Sequence, residues 1–202
     1  MQVRATKQDF RNITIAAELM KDRVPVLGGT GGIITHRVAE LTLAAKKAGC
    51  AGAMIMPPYY AMVNRKEVVQ HYKTISDTAN LPILLYNSPR RTGGVNIDID
   101  TLGALCDALP VVGIKESSRD FFHQSHVIRQ FARRISVLIG PGHYVFPGLA
   151  LGAAGFLATG AEFLGDSVGR IRPLAAAKPC AEARDLHHAL TTVYQTLMSL
   201  GT

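Results

Sequence analysis

Six short β-rich runs alternate with helical stretches along the chain, and this alternation constrains the fold more than any other feature of the sequence. Each run is followed by residues whose apolar members recur about every 3.6 positions, the period of an α-helix. Such alternation predicts a parallel sheet with crossover helices, so the expected fold class is α/β. The runs are Val24–Gly29, Gly52–Pro57, Pro82–Asn87, Val111–Lys115, Ser136–Gly140 and Gly155–Thr159.

The glycine-rich segment after the first run does not fit a nucleotide-binding loop. Gly28-Gly29-Thr30-Gly31-Gly32 follows the run, but Ile34 stands where a dinucleotide fingerprint has its third glycine, and no Walker lysine follows. Polar residues follow most of the runs instead, at the edge where (β/α)8-barrel (TIM-barrel) enzymes build their active sites. They are Thr30, Tyr59, Tyr60, Tyr86, Asn87, Lys115, Glu116 and Thr159. The barrel is therefore preferred over an open sheet.

The runs account for only part of a barrel. A complete barrel has eight βα units and about 250 residues, whereas this chain has 202 residues and six runs. A helix predicted at Lys7–Met20 opens the chain, although in a barrel it would follow a strand. We therefore expect one domain over residues 1–202 with six of the eight units and without the first two. It should end in a helical segment at about 162–202, with Ala181–Ser199 packed outside the barrel wall.

The composition is that of a globular protein, with 48% hydrophobic and 18% charged residues. No stretch suits a membrane span and the first residues lack the apolar core of a signal peptide, so a cytoplasmic location is expected. Cys50, Cys106 and Cys180 show neither disulfide nor metal-site spacing. A formal charge of +7 could indicate nucleic acid, but the basic residues are dispersed and lack interleaved aromatics. We expect small anionic substrates, and neither nucleic acid nor a membrane.

Lys115 directly follows the apolar run Val111–Ile114. A lysine at a strand end is usually a solvated charge, because an ammonium is costly to bury and its stem can reach water. The alternative is a partly desolvated amine that attacks carbonyl groups. Gly113 lies on the same face of the strand as Lys115 and leaves room beside the amine. These residues alone leave both interpretations open.

The preceding run supplies groups that would suit such an amine. In "LLYNSPRRTGG", residues 84–94, Tyr86 stands at a strand end and Arg90 and Arg91 follow a turn. Tyrosine can relay protons, and arginine can hold a carboxylate through two parallel hydrogen bonds. Because neighbouring parallel strands lie about 4.8 Å apart, we expect Tyr86, Arg91 and Lys115 at one end of the sheet. Together they suit imine chemistry on a keto acid.

Four segments carry a resemblance to a known family: "PPYY" at 57–60, "YNSPRRTGG" at 86–94, "GIKESSRD" at 113–120 and "LGAAGFLA" at 151–158. In this order and at these separations they resemble the dihydrodipicolinate synthase and N-acetylneuraminate lyase family of class I, lysine-dependent pyruvate aldolases. The resemblance implies a TIM barrel and a Schiff-base mechanism without a metal or organic cofactor. It also implies pyruvate or another 2-keto acid and an aldehyde as substrates, and a homo-oligomer, either a dimer or a tetramer.

The resemblance also assigns roles to individual residues. By this resemblance Lys115 is the Schiff-base lysine and Tyr86 the proton-relay tyrosine, while Tyr60 is the tyrosine that a neighbouring subunit lends to the relay. Arg91 resembles the arginine that binds the carboxylate of the second substrate in the synthase branch. The further candidate substrate-binding residues are Thr30 and Leu157.

The chain departs from the family pattern in two places. The family begins with two further βα units, whose second strand ends in a Thr-Thr-Gly-Glu-like turn that supplies the relay threonine and holds the pyruvate carboxylate; these units have no counterpart here. Near the last strand the family often has Gly-Asp-Asp and Asn, where this chain has Gly140-Pro141-Gly142 and Glu162. A second function therefore stays open, that of a catalytically impaired remnant acting as a subunit or interaction module.

Three other polar residues near Lys115 are predicted to have no catalytic role. Glu116 lies on the opposite strand face from Lys115 and is expected to be structural. His123 and His126 lie three positions apart on a predicted helix, a spacing that one metal ion could bridge. No carboxylate cluster supports such a site, so we predict surface histidines and no metal.

Overall fold

The computed structural model describes residues 7–20, 23–158, 166–177 and 181–199. Thr159, Glu162 and Cys180 lie outside these ranges. The chain divides into two compact units, Met1–Ile114 and Lys115–Thr202, so the single domain expected over residues 1–202 stays a prediction. None of the described helices is long and apolar enough to cross a bilayer.

Helices and strands alternate along the described chain after an initial helix, and the strand order in the sheet follows the chain from β1 to β6. This confirms the predicted α/β class with six βα units of the (β/α)8 type. The elements are α1 Lys7–Met20, β1 Leu27–Gly29, α2 Thr35–Lys47, β2 Gly52–Ile55, α3 Arg65–Ala79, β3 Ile83–Asn87, α4 Ile99–Ala108, β4 Val111–Glu116, α5 Phe121–Phe131, β5 Ser136–Ile139, a short 3-10 helix Gly142–Tyr144, α6 Val145–Ala150, β6 Gly155–Phe156, α7 Asp166–Ala176 and α8 Ala181–Ser199.

The first predicted strand begins three residues too early. We expected it to start at Val24, whereas β1 starts at Leu27. Pro25 has no N–H to donate to a strand ladder, which explains why pairing begins only after it. The last predicted strand is shorter than expected, because β6 ends at Phe156.

The buried centre of the first unit is formed by β2 and β3. Ala53 and Ile55 of β2, and Ile83 and Leu85 of β3, have no exposed surface. Both strands are almost continuously apolar, as expected for parallel strands that are covered on both faces. The apolar runs in the sequence therefore identify the core strands correctly.

Helix α3 is held at its start and along its buried face. The side chain of Asn64 accepts a hydrogen bond from the Glu67 amide at 3.1 Å, and the Glu67 carboxylate accepts one from the Asn64 amide at 2.7 Å. This capping box satisfies two amides at the helix start. The fully buried Tyr72 donates to the carbonyl of Ile55 at 3.0 Å, and burial raises its pKa. The helix is thereby tied to the end of β2.

His71 is buried in the same helix, with 3% of its surface exposed. Its Nδ1 lies 2.8 Å from the hydroxyl of Thr35 on α2. Its Nε2 is buried and has no hydrogen-bond partner among the described residues. A proton on Nε2 would therefore be desolvated without an acceptor, and burial lowers the pKa of His71 to about 4.

We expect the folded state to lose stability as the pH falls from about 6.5 to about 4. The pKa of His71 is lowered by folding, so in this window the unfolded chain binds a proton that the folded chain does not. The loss for this one group is on the order of 3 kcal/mol. Urea unfolding over this range gives the free energy of unfolding at each pH. Its slope against pH should be smaller in His71→Gln than in wild type, by the equivalent of nearly one bound proton. Tyr72→Phe, at the next residue, should keep the slope, because burial raises the pKa of Tyr72 and its hydroxyl carries no charge over this pH range. Equal slopes in wild type and His71→Gln would contradict the expectation.

The second unit contains the end of β4 together with β5 and β6. Strands β5 and β6 pair in parallel, with Leu138 opposite Gly155. Helix α5 packs against β5, and its residue Val127 is fully buried. It begins after Asp120, whose carboxylate accepts hydrogen bonds from two amides of the first turn, as expected for an N-cap.

The C-terminal helix predicted at Ala181–Ser199 is present as α8, with the same bounds. It packs against α7, α6 and the 3-10 helix, and Tyr194 is among its buried residues. A methyl group on Gly142 would overlap the Tyr194 ring, so glycine is needed for this close approach. Its partners are helical, as expected for a helix outside the barrel wall.

Candidate active site

The carboxyl ends of the first three strands lie side by side in the first unit. The parallel register places Gly29 of β1 opposite Met54 of β2, and Met54 opposite Leu84 of β3. Thr30 directly follows β1, and Tyr86 is the second residue beyond Leu84. The edge at which we predicted a site is therefore present in this unit.

Tyr86 is half-buried near the end of β3, between the fully buried Leu85 and Asn87. The amide group of Asn87 donates to the side-chain oxygen of Asn96 at 2.8 Å and accepts from the backbone amide of Ile97 at 3.0 Å. These bonds tie the far end of the following loop back to the strand. The sequence placed Asn87 beside Tyr86 but did not predict this bracing role.

The loop after β3 presents Arg91 on a tight, internally bonded turn. The amide of Arg91 donates to the carbonyl of Ser88 at 2.8 Å, and the hydroxyl of Thr92 donates to the carbonyl of Val95 at 2.7 Å. Gly93 and Gly94 have φ angles of 68° and 100°, which glycine adopts without steric cost. Arg91 is exposed, so its guanidinium is accessible to a carboxylate from solution.

Tyr60 lies in the segment between β2 and α3. Its side chain is 93% exposed, and its φ angle of 77° is uncommon for a residue other than glycine. Such backbone strain is found most often at functional positions. The exposed ring is therefore available to another molecule.

Thr30 is buried, with 1% of its surface exposed. Its hydroxyl lies 2.8 Å from that of Thr42 on α2. Thr42 donates to the carbonyl of Val38, so Thr30 is the donor to Thr42. These contacts give Thr30 a structural role in joining β1 to α2, and its role in substrate binding stays a prediction.

In the second unit, Lys115 is half-buried near the end of β4. Glu116, the next residue, has no exposed surface, and the Ser118 amide donates to its carboxylate at 2.7 Å. Since successive strand residues point to opposite faces, Lys115 projects away from the face that Glu116 occupies. This agrees with the expected structural role of Glu116.

The prediction of surface histidines is wrong for His123. Its side chain is 11% exposed, and its Nε2 lies 3.5 Å from the Glu116 carboxylate. The buried side chain of Glu116 needs polar partners, and the imidazole of His123 lies next to it. His126 is half-buried, with its ring 4.6 Å from that of Phe122. The described residues contain no group of His, Cys, Asp or Glu side chains that could hold a metal ion.

The remaining predicted residue, Leu157, follows β6. Its amide donates to the carbonyl of Ile139 at 2.8 Å, and its side chain is 42% exposed.

The segment Gly140–Gly142 is one of the places where the chain departs from the family pattern. The Gly140 amide donates to the Glu116 carbonyl at 2.8 Å. A methyl group on Gly140 would overlap the Ser117 side chain. Glycine at this position therefore allows close contact between the ends of β4 and β5.

The candidate residues fall into two groups. Tyr86 and Arg91 belong to β3 and its following turn in the first unit, whereas Lys115 and Leu157 belong to the second unit. The shared site of Lys115 and Tyr86 therefore stays a prediction.

Residues 1–201 match the model of the dihydrodipicolinate synthetase family. The chain is 35% identical over 185 residues to a 4-hydroxy-tetrahydrodipicolinate synthase of Syntrophotalea carbinolica, covering 92% of this chain and 63% of that protein. It is 35% identical over 182 residues to the synthase of Thermus thermophilus, covering 89% and 60%. The chain thus spans less than two thirds of the length of these curated relatives.

Solved structures show the same relationship. The crystal structure of dihydrodipicolinate synthase from Aquifex aeolicus matches with a TM-score of 0.89 and 30% identity, over 95% of this chain and 66% of that chain. The synthase of Methylacidiphilum fumariolicum matches with a TM-score of 0.90 and 29% identity, over 96% and 65%. The chain belongs to the dihydrodipicolinate synthetase family.

Proposed function

We propose that this chain provides the Schiff-base lysine of a class I aldolase or synthase that joins pyruvate to an aldehyde or cleaves such a product. The family match over residues 1–201 carries this proposal. The half-buried position of Lys115 on β4 supports it, because such a site removes part of the water around an amine.

In the proposed mechanism the neutral amine of Lys115 attacks the keto carbon of pyruvate. The carbonyl oxygen leaves as water, and a protonated imine forms. Loss of a methyl proton then gives an enamine, whose terminal carbon adds to the carbon of an aldehyde. The protonated imine acts as the electron sink, so the chemistry requires neither a metal nor an organic cofactor.

Tyr86 would carry protons between the substrate and solvent during these steps, and Tyr60 of a neighbouring subunit would complete the relay. Arg91 would bind the carboxylate of the second substrate, while Thr30 and Leu157 are the further candidates for substrate binding. Relatives named 4-hydroxy-tetrahydrodipicolinate synthase favour a similar condensation with a carboxylate-bearing aldehyde. A homo-oligomer and a cytoplasmic location belong to the same proposal.

One observation favours the alternative of an impaired chain that acts as a subunit or interaction module. Apolar side chains are exposed on α1, on β1 and in the segments that flank β1 along the chain: Leu19 by 70%, Val24 by 52%, Leu27 by 42% and Ile34 by 49%. Exposed apolar surface beside a sheet edge is typical of association sites. The test of catalysis therefore has to be made on folded, dispersed protein.

The experiment is exchange of the pyruvate methyl protons with solvent deuterium, followed by NMR. Enamine formation labels the methyl group even when no aldehyde is present. We expect slow exchange that is at least about tenfold faster in the wild-type chain than in Tyr86→Phe, because general acid–base groups contribute about 10²- to 10⁴-fold. Lys73→Gln, on the surface of α3, should exchange like wild type. A wild-type rate equal to that of Tyr86→Phe would contradict the proposed relay.

A further inference from the structure

Arg65, the first residue of α3, contacts two carboxylates at the start of α4. Its guanidinium lies 3.1 Å from Asp98 and 3.0 Å from Asp100. We propose that these three residues, the Arg65 clamp, position Arg91 for binding the carboxylate of the second substrate. This inference rests on the proposed function, and it assigns Arg65 a positioning role rather than a catalytic one.

The clamp joins the two segments that carry candidate site residues in the first unit. The segment after β2 carries Tyr60 and ends at Arg65, while the segment after β3 carries Arg91 and ends at Asp98. Each segment is also anchored on its own side, by the capping box at Asn64 and by the bonds of Asn87. Through its two ion pairs the clamp connects one segment to the other.

A surface pocket of about 210 Å³ lies between parts of the two segments. Its lining includes Met62 of one segment, Val95 of the other, and Arg65 and Asp98 of the clamp itself. Side chains on opposite sides of a pocket do not pack against each other, so they restrict the two backbones less. The ion pairs of Arg65 therefore join the two segments at a place where close packing does not.

The charge of Arg65 does not stabilise α3 itself, and its two partners lie at the start of α4. An arginine in the first turn of a helix is unfavourable, because the helix dipole is positive at that end. Asp98 is the N-cap of α4, where it accepts a hydrogen bond from the Thr101 amide at 2.7 Å. Arg65 accordingly depends on the two carboxylates of the neighbouring helix start. Both bonds come from one guanidinium nitrogen, Nη2, so an ammonium group, which carries three donors on one nitrogen, could replace part of this contact.

The test measures carboxylate binding at Arg91 without requiring turnover. Phenylglyoxal modifies arginine side chains, and peptide mass spectrometry reports modification of Arg91 and its neighbour Arg90 separately. Succinic semialdehyde, an aldehyde that bears a carboxylate, serves as the protecting probe. In the wild-type chain it should slow modification of Arg91 and leave that of Arg90 unchanged.

In Arg65→Gln the probe concentration for half-protection of Arg91 should rise by at least about fivefold, because small misplacements of a binding group are costly. Arg65→Lys should fall between Arg65→Gln and wild type. Lys73→Gln is the matched control, since Lys73 forms an exposed ion pair with Asp77 on the same helix at 3.0 Å. It should stay within about twofold of wild type, and both Gln variants should melt at similar temperatures. Reductive trapping of pyruvate on Lys115 should proceed equally in all four proteins.

The proposed role of the clamp would be overturned if Arg65→Gln and Lys73→Gln reached half-protection of Arg91 at the same probe concentration. This holds whether that concentration equals the wild-type value or is raised equally in both variants. Absence of protection in the wild-type chain would also overturn it, because there would be no carboxylate site at Arg91 to position. Trapping on Lys115 in that same sample would show that the Schiff-base proposal still stands. If pyruvate is not trapped on Lys115 while the probe still protects Arg91, the proposed function is rejected and carboxylate binding at Arg91 stands.

Discussion

Fusing two βα units from a relative to the N-terminus of the 202-residue polypeptide should raise its aldolase turnover by at least about 100-fold. From the resemblance to the family, we expect these units to bring the relay threonine and the turn that holds the pyruvate carboxylate. Proton transfer by a positioned side chain contributes about 10²- to 10⁴-fold, and substrate positioning adds to it. The unfused polypeptide should therefore be a poor enzyme.

The same fusion should reduce association. Strand β1 is the first strand of the described sheet order, and Leu27 on it is 42% exposed. An open strand edge with apolar side chains invites pairing with another chain. Light scattering and turnover should be compared for the polypeptide with and without the added units. A monodisperse, fully active 202-residue polypeptide would contradict this prediction.

Replacing Lys115 by alanine in the fused, active protein should lower turnover by at least about a thousandfold. The amine is the proposed covalent nucleophile, and removing such a group leaves only the contribution of substrate binding. Lys47→Ala, at the exposed end of α2, is the control and should keep nearly full activity. Circular dichroism should show that both variants fold. Substantial activity in folded Lys115→Ala would mean that another group performs the chemistry.

The positions of the strands could be predicted because their apolar runs are short and bounded by turn residues. Strand β3, predicted to run from Pro82 to Asn87, is observed at Ile83–Asn87. Its residues are continuously apolar up to Tyr86, a pattern that a helix with one exposed face would not show. The start of β1 was missed because a proline interrupts the ladder without interrupting the apolar run.

The contacts between distant residues could not be predicted in the same way. Arg65 and Asp98 are separated by a whole helix and strand, and nothing in either local sequence identifies the other as a partner. The direction of the Thr30 hydroxyl depends on the packing of β1 against α2. His123 follows a helical spacing typical of surface residues, but its side chain is only 11% exposed and lies beside the buried Glu116. Each outcome depends on three-dimensional proximity that periodicity does not encode.

The central claim is that Lys115 forms an imine with pyruvate, and residue-level reductive trapping tests it most directly. The folded chain is incubated with pyruvate and borohydride, digested, and mapped by mass spectrometry across all its lysines. We predict an irreversible adduct concentrated on Lys115, and no adduct at that peptide in Lys115→Ala. No adduct on Lys115 in a demonstrably folded sample, or equal labelling of exposed lysines such as Lys47 and Lys73, would contradict the account.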